Sequence, residues 1–519
     1  MKQNILHFQD RQAAIAAFDH LWERETPWIL AFIGFSGHGK STLLDWFEEH
    51  RCRRDDLPYA LVGLDAALSG AQDGGEPPVA AALHRLIAAR AGLHPFLPGP
   101  ALKTYRAARK SILAERSRRA LALQQTQHTE GSEDVHQTMS ANLAEALRAM
   151  DRQAESELLA AWLDCVAHLS GEQIVFMFDN YDMFQERVSR EDLQLFWDTL
   201  DTTSASLPGL RVLLAGREAV LHRHAVRVLE SGLTAEALAP LDATDSNALL
   251  QVLGVTDAAF REAVYTRLAQ GHPLVTRLAA EAWLETPGGI PAGDVPALHG
   301  HEKALQWIQG RILDRLEEPL RTAARWAALL RWFNAESLNA ILGLELTSDE
   351  FRALTRYAFI IRPRLAPRAW ACHDLLRRVQ CAYLSQERPE ETAAFHHRAQ
   401  DYYAEHDQPL EALYHALFVD TAVAFDAWET EESAAAFRFD HEIWAALIEL
   451  ADAPELQAYL TRARRAELAY RAGRRHYYRA EWGGADDRLA QALTLFREIG
   501  DRLGEANVLK ALGDVQQFR

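Results

Sequence analysis

An apolar run, Trp28-Ile-Leu-Ala-Phe-Ile33, passes directly into Gly34-Phe-Ser-Gly-His-Gly39-Lys40-Ser41, and that string into the amphipathic stretch Ser41-Thr-Leu-Leu-Asp-Trp-Phe-Glu-Glu-His50. No other stretch of the chain restricts the fold as sharply. Glycines at this spacing between a strand and a helix let backbone amides close around phosphate oxygens, and the helix N-terminus adds its partial positive charge. The string has the Walker A pattern, with Gly34, Gly37, His38 and Gly39 forming the loop. In such a loop Lys40 reaches the β- and γ-phosphates, the Ser41 hydroxyl ligates Mg2+, and Thr42 is the helical neighbour. The expected ligands are ATP or ADP with Mg2+.

A parallel sheet flanked by helices is the fold that carries this loop, and short apolar runs mark its strands at Trp28 to Gly34, Tyr59 to Leu64, Ile174 to Phe178 and Arg211 to Ala215. The third run ends in Phe178-Asp-Asn-Tyr-Asp182, which puts Asp179 at the position of the second, magnesium-associated acid. Asp182 lies three residues further on and is the candidate to orient or deprotonate an attacking water, with an exposed loop acid as the plainer alternative. Asn180 stands where many AAA-type engines have glutamate, so slow hydrolysis is expected. The fourth run ends in Arg217, placed to detect a γ-phosphate at the sheet's C-terminal edge. Taken alone it would be a surface ion-pair residue.

At 519 residues the chain exceeds what one core organises. A net charge of -18 argues against broad attraction to nucleic acid or anionic membrane. Cys52, Cys165, Cys372 and Cys381 are too scattered for a disulfide framework or a zinc ribbon and are expected as buried thiols. The N-terminal MKQNILHFQD lacks the apolar core of a signal peptide, and no apolar run reaches spanning length, so a cytoplasmic protein is expected. A polar segment from about 103 to 151 interrupts the α/β domain and is expected to be partly helical and partly mobile. Its cluster Arg116, Arg118 and Arg119 is read as a solvated helix face. After Leu238 helical periodicity dominates to the end.

These elements, with Gly271-His-Pro273-Leu and Cys372-His373-Asp374-Leu-Leu-Arg, resemble the STAND class of signalling NTPases and its NB-ARC branch over about residues 8 to 385. The resemblance implies a nucleotide-binding domain over 1–234, a helical domain over 235–305 and a winged-helix domain over 306–385. Residues 386–519 would then form a helical linker and tetratricopeptide-like repeats. It further implies that Pro273 packs near the adenine and that His373 bonds the ADP β-phosphate, folding the winged helix onto the nucleotide. Cys372 replaces a methionine of the family pattern. Phe8-Gln-Asp-Arg11 loosely matches a motif beside the base, which makes Arg11 a candidate base contact. Without the resemblance, Gly-His-Pro reads only as a helix breaker or turn.

Two late segments, Arg465-Ala-Glu-Leu-Ala-Tyr-Arg-Ala-Gly473 and Gly504-Glu-Ala-Asn-Val-Leu-Lys-Ala-Leu-Gly513, echo each other and resemble such a repeat, in which small residues let paired helices pack closely. The chain stops after the first helix of a repeat, and the natural protein is expected to continue. The leading expectation is an ADP/ATP conformational switch that senses a protein or small-molecule activator through the repeats and forms a homo-oligomer with ATP. The alternative is a DNA-associated AAA-type ATPase, origin-recognition-like or transcriptional, using Arg362, Arg364 and Arg368 of the wing. A small-molecule kinase leaves over half the chain unexplained.

Overall fold

The computed structural model describes residues 11–22, 28–64, 76–89, 91–127, 133–169, 173–188, 190–217, 228, 232–298, 300–363, 369–438, 441–478 and 482–518. Met1–Asp10, Arg364 and Arg368 lie outside them.

Five parallel strands build one sheet in the order β2-β3-β4-β1-β5. They are β1 (Ile29–Ile33), β2 (Tyr59–Gly63), β3 (Ile174–Asp179), β4 (Leu210–Gly216) and β5 (Leu233–Ala237). The first four are buried end to end, as continuous apolar runs in a doubly covered parallel sheet must be. Alternation divides each run between two layers. Ile29, Ala31 and Ile33 face one core with Phe176, Phe178, Val212 and Leu214, whereas Leu30 and Phe32 face another with Val175, Met177 and Leu213. The second core is covered by α1 (Gln12–His20) and α2 (Lys40–Phe47), joined by Phe18 stacked on Phe47 at 4.4 Å. The first is covered by α3 (Pro78–Ala88), by the proximal parts of α4 (Gly99–Gln127) and α5 (Glu133–Val166), and by α7 (Arg190–Ser206), which follows the short α6 (Tyr181–Arg187).

β5 was not expected. Its sequence, Leu233-Thr-Ala-Glu-Ala237, is rich in helix formers and half exposed, so it carries no strand signal of its own. It is a strand because β1 offers it a parallel ladder, Ile29 opposite Leu233 through Ile33 opposite Ala237. The interrupting segment is a pair of long helices, α4 and α5. Arg116 pairs with Asp151 at 2.7 Å, and Arg118 and Arg119 both pair with Glu115, so this basic cluster has carboxylate partners.

Beyond the sheet the described chain is helical apart from a two-residue hairpin, β6 (Ile360–Ile361) with β7 (Ala371–Cys372). One continuous core runs from Leu250 to Tyr403. It is built by α8 (Ala243–Val252), α9 (Ala258–Ala263), α10 (Pro273–Glu285), α11 (His301–Leu313), α12 (Leu320–Trp326), α13 (Ala335–Leu342), α14 (Ser348–Leu354), α15 (Asp374–Glu387) and α16 (Pro389–Glu405). Positions 234/235, 305/306 and 385/386 lie within β5, α11 and α15.

The remaining helices are α17 (Pro409–Val419), α18 (Thr421–Arg438), α19 (His441–Ala451), α20 (Arg462–Tyr478), α21 (Trp482–Ile499) and α22 (Arg502–Phe518). A Cβ on Gly473 would stand 2.7 Å from Leu489 Cγ, so α20 and α21 pack as closely as expected there. Gly513 meets nothing within 4 Å; further close approaches are at Gly484, where a Cβ would lie 2.9 Å from His476, and at Gly504, where it would lie 2.4 Å from Phe496. All four cysteines are buried free thiols. Among the described residues no helix is long and apolar enough to cross a membrane.

Candidate nucleotide-binding site

Parallel strands bring their C-terminal ends to one edge of a sheet, and this edge gathers residues far apart in sequence. Ile33 lies opposite both Gly216 and Ala237, and Gly63 opposite Asp179. The loop after β1, the acid ending β3 and the arginine after β4 therefore converge.

The loop turns through two left-handed glycines, Gly37 at φ 80° and Gly39 at φ 86°. Gly39 precedes α2 and supplies no side-chain cap, which leaves the first amides of that helix for a ligand. Lys40 Nζ donates to the Gly34 carbonyl at 2.6 Å and to the Phe35 carbonyl at 3.0 Å, so the ammonium spans the loop mouth. Burial pushes its pKa down, and the carboxylates of Asp182 and Asp179 partly offset that. An anion entering here meets a poorly hydrated cation.

Ser41 Oγ donates to Asp179 Oδ1 at 3.0 Å, and the Asn180 N–H donates to the same oxygen at 3.1 Å. Two hard oxygen donors about 3 Å apart match adjacent ligands of an octahedral Mg2+ whose bonds are about 2.1 Å, so these residues fit the ion. No group of three or more His, Cys, Asp or Glu side chains among the described residues could hold a metal ion. Phosphate oxygens and water would complete the shell. Asp182 is buried and paired with Arg217, whose Nε lies 2.5 Å from Oδ2. Gly216 makes that placement possible, since a Cβ there would lie 3.3 Å from Asp182 Oδ1.

His38 is buried and donates Nδ1–H to the Leu238 carbonyl at 2.8 Å, holding the loop to the end of β5. Arg11 donates to the Ala239 carbonyl at 2.8 Å and to the His38 carbonyl at 3.0 Å. Its guanidinium thus grips the outside of the loop. Thr42 follows in the first turn of α2. Pro273 is the first residue of α10, where its fixed φ suits a helix start. The residue before it was read only as a spacer, yet His272 is buried against the loop and its Nε2 meets the Ser36 carbonyl at 3.2 Å. Nothing in a lone Gly-His-Pro signals this contact.

His373 caps α15: its Nδ1 accepts the Leu375 N–H at 3.3 Å, and its own N–H donates to the Phe359 carbonyl at 2.7 Å. With Nδ1 accepting, the ring proton sits on Nε2. Burial lowers the His373 pKa; Asp374 opposes this, while the positive charges of Lys40 and Arg378 lower it further. Lys40 is therefore among the charges that act on this helix end.

No family model and no curated protein matches the chain. Among solved structures it is similar to a STAND protein with a tetratricopeptide repeat sensor from Pyrococcus horikoshii, at 11% identity and a TM-score of 0.45, over 99% of this chain and 68% of that one. It is similar to a Walker-type ATPase of Pyrococcus abyssi, at 17% identity and a TM-score of 0.33, over 72% of this chain and 96% of that one. It is also similar to an Orc1 protein from Aeropyrum pernix in complex with DNA, at 13% identity and a TM-score of 0.33, over 73% and 93%. At such TM-scores the functional reading rests on the site's own geometry.

Proposed function

We propose that this chain is a STAND-type regulatory ATPase in which ADP holds the α15 segment, read as part of a winged-helix domain, against the nucleotide-binding domain. Exchange for ATP releases it, and the repeats sense the activator that permits exchange. The observation that carries the reading is the cap geometry of His373, whose Nδ1 accepts the Leu375 N–H and leaves the ring proton on Nε2, together with the charge of Lys40 acting to lower its pKa. A neutral imidazole with its proton on Nε2 is a donor suited to a phosphate oxygen.

In the ATP state Lys40 and the amides of the loop hold the β- and γ-phosphates. Ser41 and Asp179 would hold Mg2+, which would supply positive charge to the phosphate oxygens. Arg217 leaves Asp182 to meet the γ-phosphate, and the uncovered Asp182 carboxylate accepts the proton of the attacking water. Hydrolysis is slow because that base is paired at rest.

Closure by ADP requires the nucleotide to favour the closed form over the open one. A hydrogen bond to a charged group contributes about 1.5 to 3 kcal/mol, a shift in the closed-to-open ratio of about 10- to 150-fold. His373→Ala and His373→Asn should both speed ADP release and favour ATP-dependent association of the full chain. Asn retains a helix cap, so equal effects separate the phosphate contact from helix capping. Nucleotide-release kinetics with light scattering measure both. Wild-type release and assembly in both variants would leave a nucleotide-stabilised scaffold in place of a switch.

A further inference from the structure

The glycines that let the phosphate loop turn also leave its peptides loosely oriented, because glycine populates both signs of φ. A cradle works only if the N–H groups face the anion and the carbonyls face away. In a planar trans peptide the two point in opposite directions, so gripping a carbonyl from outside aims the following N–H inward.

His272 grips one such carbonyl. Its Nδ1 accepts the Val275 N–H at 3.4 Å at the start of α10, which puts the ring proton on Nε2, and Nε2–H donates to the Ser36 carbonyl at 3.2 Å. The ring covers the next residue so closely that a Cβ on Gly37 would stand 2.5 Å from Cε1. It also meets the His38 ring edge to face at 5.3 Å. Behind it the backbone is wedged: Gly271 has φ 81°, and a Cβ there would lie 2.1 Å from the Leu241 carbonyl oxygen. His272 is 3% exposed, a polar ring held on both nitrogens. Arg11 does the same to the His38 carbonyl, ahead of Gly39.

We propose that His272 is a positioning residue of the phosphate cradle: by fixing the Ser36–Gly37 peptide it aims the Gly37 N–H at the polyphosphate and makes tight binding depend on the docking of α10. The proposal rests on the nucleotide reading above. It assigns a loop-orienting role to the middle residue of Gly-His-Pro, a role that does not involve the base.

The test compares His272→Gln, which keeps an N–H donor on a flexible side chain, with His272→Met, which has similar reach and none. Full-length protein is titrated calorimetrically with ADP, ATP and inorganic pyrophosphate, with Lys40→Ala as the control for the site. The Met variant should lose about 5- to 30-fold in affinity for all three ligands, the range expected for one lost hydrogen bond and its preorganisation. The Gln variant should recover most of that loss. Equal affinities in the two variants, with wild-type protein binding normally, would overturn the role of His272. Failure of wild-type protein to bind any of the three, or wild-type affinity in Lys40→Ala, would overturn the nucleotide reading instead.

Discussion

At the phosphate edge each side chain already has a partner inside the protein. Lys40 is on the Gly34 and Phe35 carbonyls, Ser41 on Asp179, and Arg217 on Asp182. A ligand must exchange these contacts for its own, which ties binding to local rearrangement. The two acids should therefore separate in their effects. Asp182→Ala removes the candidate base and should lower ATP turnover at least tenfold while ATP affinity stays near wild type, because general-base catalysis contributes about 10²- to 10⁴-fold. Asp179→Ala should weaken binding in Mg2+ and have little effect in EDTA. Single-turnover hydrolysis and nucleotide titrations with and without Mg2+ measure this, and turnover insensitive to Asp182 would remove it from the chemistry.

Among the elements, α10 links the phosphate loop to the segment leading to β6. The residue capping its N-terminus, His272, meets the phosphate loop, and its last turns hold the segment leading to β6. Glu281 accepts the Ala358 N–H on both carboxylate oxygens, at 3.0 and 3.1 Å, and Tyr357 donates its hydroxyl to Glu285 at 3.1 Å. Burial raises the Glu281 pKa from 4.5 to about 7, against the opposing pull of Arg277. Because the folded form binds this proton more tightly than the unfolded chain does, its contribution is fully present below about pH 4.5 and is lost as pH rises through 7. At about 1.4 kcal/mol per pH unit the span corresponds to roughly 3 kcal/mol. Thermal unfolding followed from pH 5 to 8 should show this decline, and Glu281→Gln should flatten it. A variant with the wild-type pH profile would place the raised pKa elsewhere.

Over the whole molecule, α15 connects His373, the proposed latch, to the C-terminal helices. His373 stands at its N-terminus. One turn on, Arg377 donates to the Tyr414 hydroxyl and pairs with Glu455, each at 2.5 Å, while Tyr414 donates to Glu455 at 2.7 Å. Near the far end, Ser385 accepts a hydrogen bond from Tyr459 at 3.1 Å. Arg377 and Glu455 form a buried ion pair, and removing one partner of such a pair costs about 3 to 5 kcal/mol. Glu455→Gln keeps the hydrogen bonds and removes the charge, so it loosens the joint with less damage. It should speed ADP release in the wild-type background and add little in His373→Ala, since the proposal has both act on one latch. Stopped-flow release from the single and double variants gives the coupling energy. Additive effects would show that the repeats do not act through α15.

The phosphate loop, the four buried strands and the acid ending β3 were readable from the chain because each is local: a run of apolar residues, a glycine spacing, a carboxylate at a strand end. The helical character after Leu238 was readable for the same reason. β5 was not, because an edge strand of Leu-Thr-Ala-Glu-Ala has no preference that outweighs its neighbours and exists through the ladder it joins on β1. That one apolar core spans Leu250 to Tyr403 was not, because it depends on which helices dock on one another. Arg217 was expected at the site from its position after β4, but its ion pair with Asp182 depends on two loops meeting across parallel strands. His272 lay inside a tripeptide that reads as a turn. Its role emerges only when α10 docks on the phosphate loop, since a sequence specifies which atoms can form a hydrogen bond and the packed chain decides which of them meet.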